Sequence, residues 1–246
     1  VLVTAPIENS EHFHFSGQSR YIEDHLPAEE ATLSMLVSER LRIALATRTL
    51  PLKQVAESIS IEGLTEDGRL LYQSIRRDFR ISNPRIALLA LNPKAGDNGL
   101  LGSEEQEVIE PAIAALEKEG IQAFGPYAAD KFFGSNDWEQ FDGVLAMYYE
   151  QGFTPFRSLT VEGGVNYLAG LPLVRTAPEI ADSFNIAGKG IADAMPMRHA
   201  IFLAIDIFRH RMEYDEPMGN PLPKLYKERR DDSEKVRFAV PKRKEE

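Results

Sequence analysis

Arg157, Asn166 and Arg175 place two guanidinium groups and a carboxamide in one short stretch of this chain. A guanidinium presents a planar fork of N–H donors that fits the edge of a phosphate or carboxylate, and an amide adds a neutral donor. The segments Gly163-Gly164-Val165-Asn166-Tyr167 and Gly170-Leu171-Pro172-Leu173-Val174-Arg175-Thr176, joined by a short turn, therefore read as a candidate anion site. Ordinary surface or interdomain ion pairing is the competing reading. A second set of able groups lies in two unusual segments. Asn92-Pro93-Lys94-Ala95-Gly96-Asp97-Asn98-Gly99 is rich in turn formers, and its glycines permit close backbone approach. Tyr149 opens the other, Tyr149 to Leu159, which reads as a loop. Lys94 puts an ammonium in the first of these segments, and Tyr149 puts a phenol at the start of the second. The histidines, His12, His14, His25, His199 and His210, are scattered. His12 and His14 alternate as on a strand and share a face, where a packing or surface role is expected.

These groups must be positioned by an α/β frame. Leu41–Thr47 and Arg85–Leu91 are apolar runs of strand length, and Ile121–Phe124 and Gly143–Tyr148 are shorter ones. Between them lie helical patterns: Pro51 to about Ser60, with proline in the first turn, and Thr65 to Phe79. Ser103 followed by Gln106 predicts a capping box for a helix that uses Val108, Ile109, Ala112, Ile113 and Leu116 and ends at Gly120. Met197 to Met212 reads as a closing amphipathic helix. Such alternation predicts βαβ units and a largely parallel sheet, with ligands beyond the carboxyl ends of its strands. Both unusual segments follow strands in that way.

The chain has 246 residues, net charge −10 and no cysteine. The acidic balance argues against a nucleic-acid partner, and the missing thiols exclude disulfides and thiolate metal sites and suit the cytoplasm. No apolar run reaches the roughly 18 residues of a membrane span. The opening Val1-Leu2-Val3-Thr4-Ala5-Pro6 reads as a buried strand running into a turn, so a fragment or natural truncation is expected. Residues 1–213 form the expected α/β region, and residues 214–246, charged and proline-containing, an expected tail in which Lys224–Arg230 reads as a solvated charged helix.

Five frames are arranged in order along the chain: Gly17-Gln18-Ser19-Arg20, Thr47-Arg48-Thr49-Leu50-Pro51, Asn92-Pro93-Lys94-Ala95-Gly96, Met147-Tyr148-Tyr149-Glu150-Gln151-Gly152 and Pro178-Glu179-Ile180-Ala181. From Val1 to about Arg211 the chain resembles the C-terminal two-thirds of the 4-hydroxythreonine-4-phosphate dehydrogenase (PdxA) family. The resemblance implies an isocitrate/isopropylmalate-dehydrogenase-like α/β fold, with a largely parallel sheet flanked by helices and the N-terminal part of the family fold missing. It further implies a homodimer and an NAD-dependent oxidation of a phosphorylated hydroxy amino acid with loss of carbon dioxide, in pyridoxal phosphate biosynthesis.

The family's metal-binding histidines, shared across the dimer, correspond to Thr49, Lys94 and Tyr149 here. Hydroxyl and phenol are weak ligands, and a protonated lysine has no lone pair, so a divalent metal is expected to be absent. The family's substrate-contacting His-Thr pair corresponds to Gln18 and Ser19, and its phosphate-side Lys, Asn and Arg to Arg157, Asn166 and Arg175. In the cofactor segment Glu179-Ile180-Ala181 replaces an Asp-His-Gly-containing turn, while Ile186-Ala187-Gly188 is kept, leaving Asn185 and Gly188 as weak NAD contacts. The expectation is a degenerate family member that binds a phosphorylated small molecule and pairs with itself or with an active relative. The alternative is an active oxidoreductase or decarboxylase of altered chemistry, using Lys94 and Tyr149 in place of the metal. A purely structural variant, or one whose histidines were removed deliberately, is the third reading.

Overall fold

The computed structural model describes residues 1–5, 17–26, 31–48, 50–160, 163–180 and 186–219. Its strands are β1 (Leu2–Val3), β2 (Leu33–Val37), β3 (Arg42–Leu45), β4 (Arg85–Leu89), β5 (Gln122–Tyr127), β6 (Gly143–Ala146), β7 (Gly164–Ala169) and β8 (Arg175–Glu179). They form one eight-stranded sheet in the order β1-β8-β7-β2-β3-β6-β4-β5. The helices are α1 (Gln18–His25), α2 (Leu52–Ser58), α3 (Ile61–Asp78), α4 (Glu110–Lys118), α5 (Ala129–Gly134), α6 (Tyr149–Leu159) and α7 (Met195–Gly219). The expected α/β architecture, one sheet flanked by helices, is what forms.

The sheet is mixed. β3, β6, β4 and β5 run parallel, as the alternating strand and helix patterns predict, and β1 runs parallel to β8. β2 pairs antiparallel with both β3 and β7, and β7 with β8. Tight connections such as Ser38–Leu41, where Ser38 N–H donates to the Leu41 carbonyl at 2.9 Å, permit antiparallel pairing without a crossover helix. β2 carries no period-two alternation because both of its faces are covered, and only Ser34 of its residues falls short of full burial.

Several local expectations are corrected. Tyr149–Leu159 is a helix, not a loop, despite Gly152 and Pro155. Gly152 is required there: a Cβ would lie 2.8 Å from the Leu45 side chain and 3.0 Å from that of Ile43, so its absence lets α6 lie against β3. The capping box at Ser103 does not form. The segment Glu105–Ile109 is a π-helical turn leading into α4, and Ser103 contributes its carbonyl, which accepts from Glu107 N–H at 2.8 Å. α7 runs to Gly219, past the change of composition near Tyr214. His12, His14 and Lys224–Arg230 lie outside the described residues.

The core sits between the sheet and helices α3, α4 and α7, with Leu71, Ile75, Ile86, Leu88, Leu116 and Ile207 among its buried residues. Inside this apolar layer is one charged cluster. Asp78, at the end of α3, accepts from Arg211 Nε of α7 at 2.7 Å, from Tyr167 Oη of β7 at 2.5 Å and from Ser74 Oγ at 2.7 Å. Arg211 also donates to Tyr167 Oη at 2.8 Å and to the Leu171 carbonyl at 3.0 Å. His210 Nδ1 donates to the Asp78 carbonyl at 2.7 Å. Burial, reinforced by Asp78, pushes the Tyr167 phenol far above its ordinary value. Burial alone would lower Arg211, but Tyr167 and Asp78 reverse this and hold it above the usual range.

Removing one partner strands the other charge in the core. Arg211→Leu is expected to cost roughly 3–5 kcal/mol in urea unfolding. Asp78→Asn combined with Arg211→Leu should recover part of that loss, whereas additive losses would show that the two side chains are not coupled.

Candidate functional site

β7 and β8 carry the candidate anion residues on one face. The antiparallel register sets Asn166 opposite Ala177, Leu168 opposite Arg175 and Gly164 opposite Glu179. Because side chains alternate along a strand, Asn166, Arg175 and Glu179 share a face, while Tyr167 and Thr176 point to the α7 side. There Thr176 Oγ1 donates to the Ala200 carbonyl of α7 at 2.9 Å. α6 covers the Glu179 end of the site face. A Cβ on Gly164 would lie 2.2 Å from the Phe156 ring, so only glycine lets that helix approach.

Arg175 is 4% exposed. Its guanidinium donates to Ser19 Oγ at 3.2 Å and to Thr4 Oγ1 and Gln18 Oε1, both at 3.1 Å. These partners are neutral, and its Nε is buried with no hydrogen-bond partner among the described residues. Burial lowers its pKa, and Glu23 opposes that shift. Gln18 and Ser19 begin α1, whose N-cap, Gly17, supplies no side-chain cap. A buried cation therefore sits beside the first two residues of α1, held through their side chains. The structure brings Gln18, Ser19 and Arg175 together and adds Thr4, which the sequence reading did not single out.

Arg157 and Asn166 also meet, on a residue to which the sequence reading assigned no binding role. Glu179 accepts from Arg157 Nη2 at 2.6 Å through one oxygen and from Asn166 Nδ2 through the other. Arg157, Phe153 and Tyr149 lie along one side of α6. The guanidinium is 5.2 Å above the Phe153 ring, and that ring stacks on Tyr149 at 4.1 Å. Burial raises the Tyr149 phenol above its ordinary value, Glu179 and Glu150 raise it further, and Arg157 opposes them.

The other candidates follow the carboxyl ends of three neighbouring parallel strands. β4 leads to Lys94, β6 to Tyr149 and β3 to position 49; Thr49 itself lies outside the described residues. Lys94 is exposed and sits in a run of left-handed backbone, with φ 54° at Lys94, 54° at Ala95, 76° at Gly96, 46° at Asp97 and 58° at Asn98. Only glycine adopts this conformation without steric cost. Buried Glu105 holds the turn by accepting from the Asn92 backbone N–H at 2.7 Å and from Asn92 Nδ2 at 3.0 Å. Gln151 ties two strand ends together, accepting from Met147 N–H at 2.7 Å and donating to the Ala90 carbonyl at 2.6 Å. Beside Tyr149 is a cavity of about 230 Å³, bordered by Thr47, Arg48, Leu52, Val55 and Tyr148. Among the described residues no three His, Asp or Glu side chains cluster to hold a metal. Gly188 has φ 74° and open space around it, and Asn185 lies outside the described residues. His25 packs on its own helix, stacked 4.1 Å from Tyr21.

Arg48 links this cavity to α1 and α3. It pairs with Glu23, donates to the Thr32 carbonyl at 2.8 Å and lies near Asp67 of α3. Burial pushes the Asp67 carboxyl up to about 7, against the pull of Arg48 and with a smaller push from Glu66.

A model of the family described as "Pyridoxal phosphate biosynthetic protein PdxA" matches residues 1–204. The chain is 47% identical over 242 residues to the 4-hydroxythreonine-4-phosphate dehydrogenase of Bacteroides thetaiotaomicron, covering 97% of this chain and 66% of that relative. The chain therefore spans just under two-thirds of that relative's length. Among solved structures, the Klebsiella pneumoniae 4-hydroxythreonine-4-phosphate dehydrogenase superposes with TM-score 0.69 at 31% identity, over 79% of this chain and 58% of that one. The Burkholderia phymatum enzyme of the same name gives 0.70 at 32%, over 83% and 63%.

The raised Asp67 pKa has a definite sign in stability. The folded state holds this proton up to about 7, whereas an unfolded aspartate releases it near 3.8. The contribution is thus fully present below the unfolded value and is lost as pH rises through the folded one. Asp67→Asn should raise the thermal midpoint more at about pH 8 than at about pH 4. An equal effect at both pH values would place the Asp67 pKa in the ordinary range.

Proposed function

The chain belongs to the pyridoxal phosphate biosynthetic protein PdxA family, and from that membership we propose that it binds a phosphorylated small molecule while lacking the family's metal-dependent chemistry. The observation that carries this reading is Arg175: a buried guanidinium beside the start of α1 whose hydrogen-bond partners among the described residues are neutral and whose Nε has none there. Such a charge is costly to bury unless an anion compensates it. Gln18 and Ser19 line the same spot and supply the polar contacts of the substrate side.

The donor set does not fit a divalent cation. Lys94 offers an ammonium with no lone pair. The Tyr149 phenol is pushed further from the phenolate that would ligate. The relatives are named dehydrogenases, so NAD belongs to the family's activity; the altered Glu179-Ile180-Ala181 sequence supports its poor use here. A second reading has one observation in its favour: Lys94 and Tyr149 follow adjacent parallel strands, where an altered oxidoreductase or decarboxylase would place them. Turnover of 4-phosphohydroxy-threonine with NAD, lost in Lys94→Ala and Tyr149→Phe, would establish that reading instead.

Assembly into a homodimer, or with an active relative, is supported by the outer face of α7. Ile201, Ile205, Phe208 and Met212 recur there at helical spacing, all exposed, beside Phe202 at 60% exposure. No helix among the described residues is long and apolar enough to cross a membrane. The acidic balance supports a partner other than nucleic acid, and the absence of cysteine supports a cytoplasmic place.

Two measurements test the function. In calorimetry, a phosphorylated hydroxy amino acid should bind better than its dephosphorylated form, and Arg175→Ala should remove roughly 1.5–3 kcal/mol of that preference; unchanged affinity would take Arg175 out of the site. Zinc and cobalt titrations should show no stoichiometric micromolar binding, and such binding abolished by Tyr149→Phe would overturn the metal-free reading.

A further inference from the structure

The shared face of β7 and β8 is divided into two unequal halves. At Arg175 the cation has only neutral partners, and no salt bridge is made to it among the described residues. At the other half both donors are already taken. One Glu179 oxygen accepts from Arg157 at 2.6 Å and the other from Asn166, so one carboxylate bridges two donors as a bound phosphate would. The Glu179 side chain is 9% exposed and that of Arg157 is 49% exposed, so the acid is fixed and the base is the movable partner. A second anion reaching Arg157 and Asn166 must displace this carboxylate and then lie beside its charge.

We propose that Glu179 is a built-in competitor for the anion site, occupying Arg157 and Asn166 and thereby setting both the affinity for phosphate and the part of the site that receives it. The inference rests on the anion-binding reading above. In the resting protein a phosphate is received through Arg175, Gln18 and Ser19, and Arg157 and Asn166 are reached only when the carboxylate yields. Glu179 is thus a specificity-determining residue: it penalises a dianion that must span all three donors more than a small anion seated at Arg175.

The test is calorimetric titration of inorganic phosphate into the full chain at constant ionic strength, with wild type, Glu179→Gln, Arg157→Ala and the double variant. Glu179→Gln removes the charge at nearly constant volume and should tighten phosphate binding roughly tenfold, the scale of one charge-assisted contact regained. The gain should disappear when Arg157 is also replaced by alanine, because the released donor is then missing; a non-specific change of net charge would leave the gain intact. Glu179→Asp, one methylene shorter, retains the charge and should give an intermediate gain, which covers the case in which the glutamine variant fails to fold. Wild type and Glu179→Gln binding phosphate equally, or a gain that survives Arg157→Ala, overturns the competitor role while the anion site stands. No binding by either at tens of millimolar overturns the anion site itself, and this inference with it.

Discussion

One buried carboxylate sets the frame of this protein. Asp78 joins the end of α3 to α7 through Arg211 and to β7 through Tyr167. A charge at this depth is tolerated only when its lone pairs are filled by good donors, and here they come from three separate elements. The cluster therefore fixes the direction in which β7 presents its side chains. With Tyr167 held on the α7 side, Asn166 must point to the opposite face, and the register with β8 puts Arg175 and Glu179 there too. The site residues are thus oriented by a network that none of them joins.

On the site face, charge is handled in two ways. Arg157 is satisfied by a carboxylate at once, within the fold. Arg175 is left with hydroxyl and amide oxygens, which solvate a guanidinium but do not neutralise it.

The carboxyl ends of the parallel strands follow another logic. Glu105 and Gln151, both buried, bind backbone groups at the ends of β4 and β6 and so pin the start of the left-handed Pro93–Gly99 turn and of α6. The side chains this support presents, Lys94 and Tyr149, offer an ammonium and a phenol. Support built on backbone hydrogen bonds does not depend on the identity of the side chain it presents.

The sequence by itself determined the α/β class, the parallel strands β3, β4, β5 and β6 and the helices α3 and α4, because a continuous apolar run or a 3.6-residue stripe records burial directly. Ordered motifs placed the chain near its family, and residue type alone made Arg157, Asn166 and Arg175 candidates for an anion site. Tertiary structure decided the rest. Gly152 and Pro155 read as loop punctuation until β3 is seen to demand a glycine under α6. β2 gives no alternation because both its faces are covered. Arg157 and Arg175 are indistinguishable as residue types, and only the neighbours supplied by β8 and α1 separate the guanidinium paired with Glu179 from the one whose hydrogen-bond partners among the described residues are neutral. A partner distant in the chain leaves no local periodicity to read, and electrostatic compensation is a property of such partners.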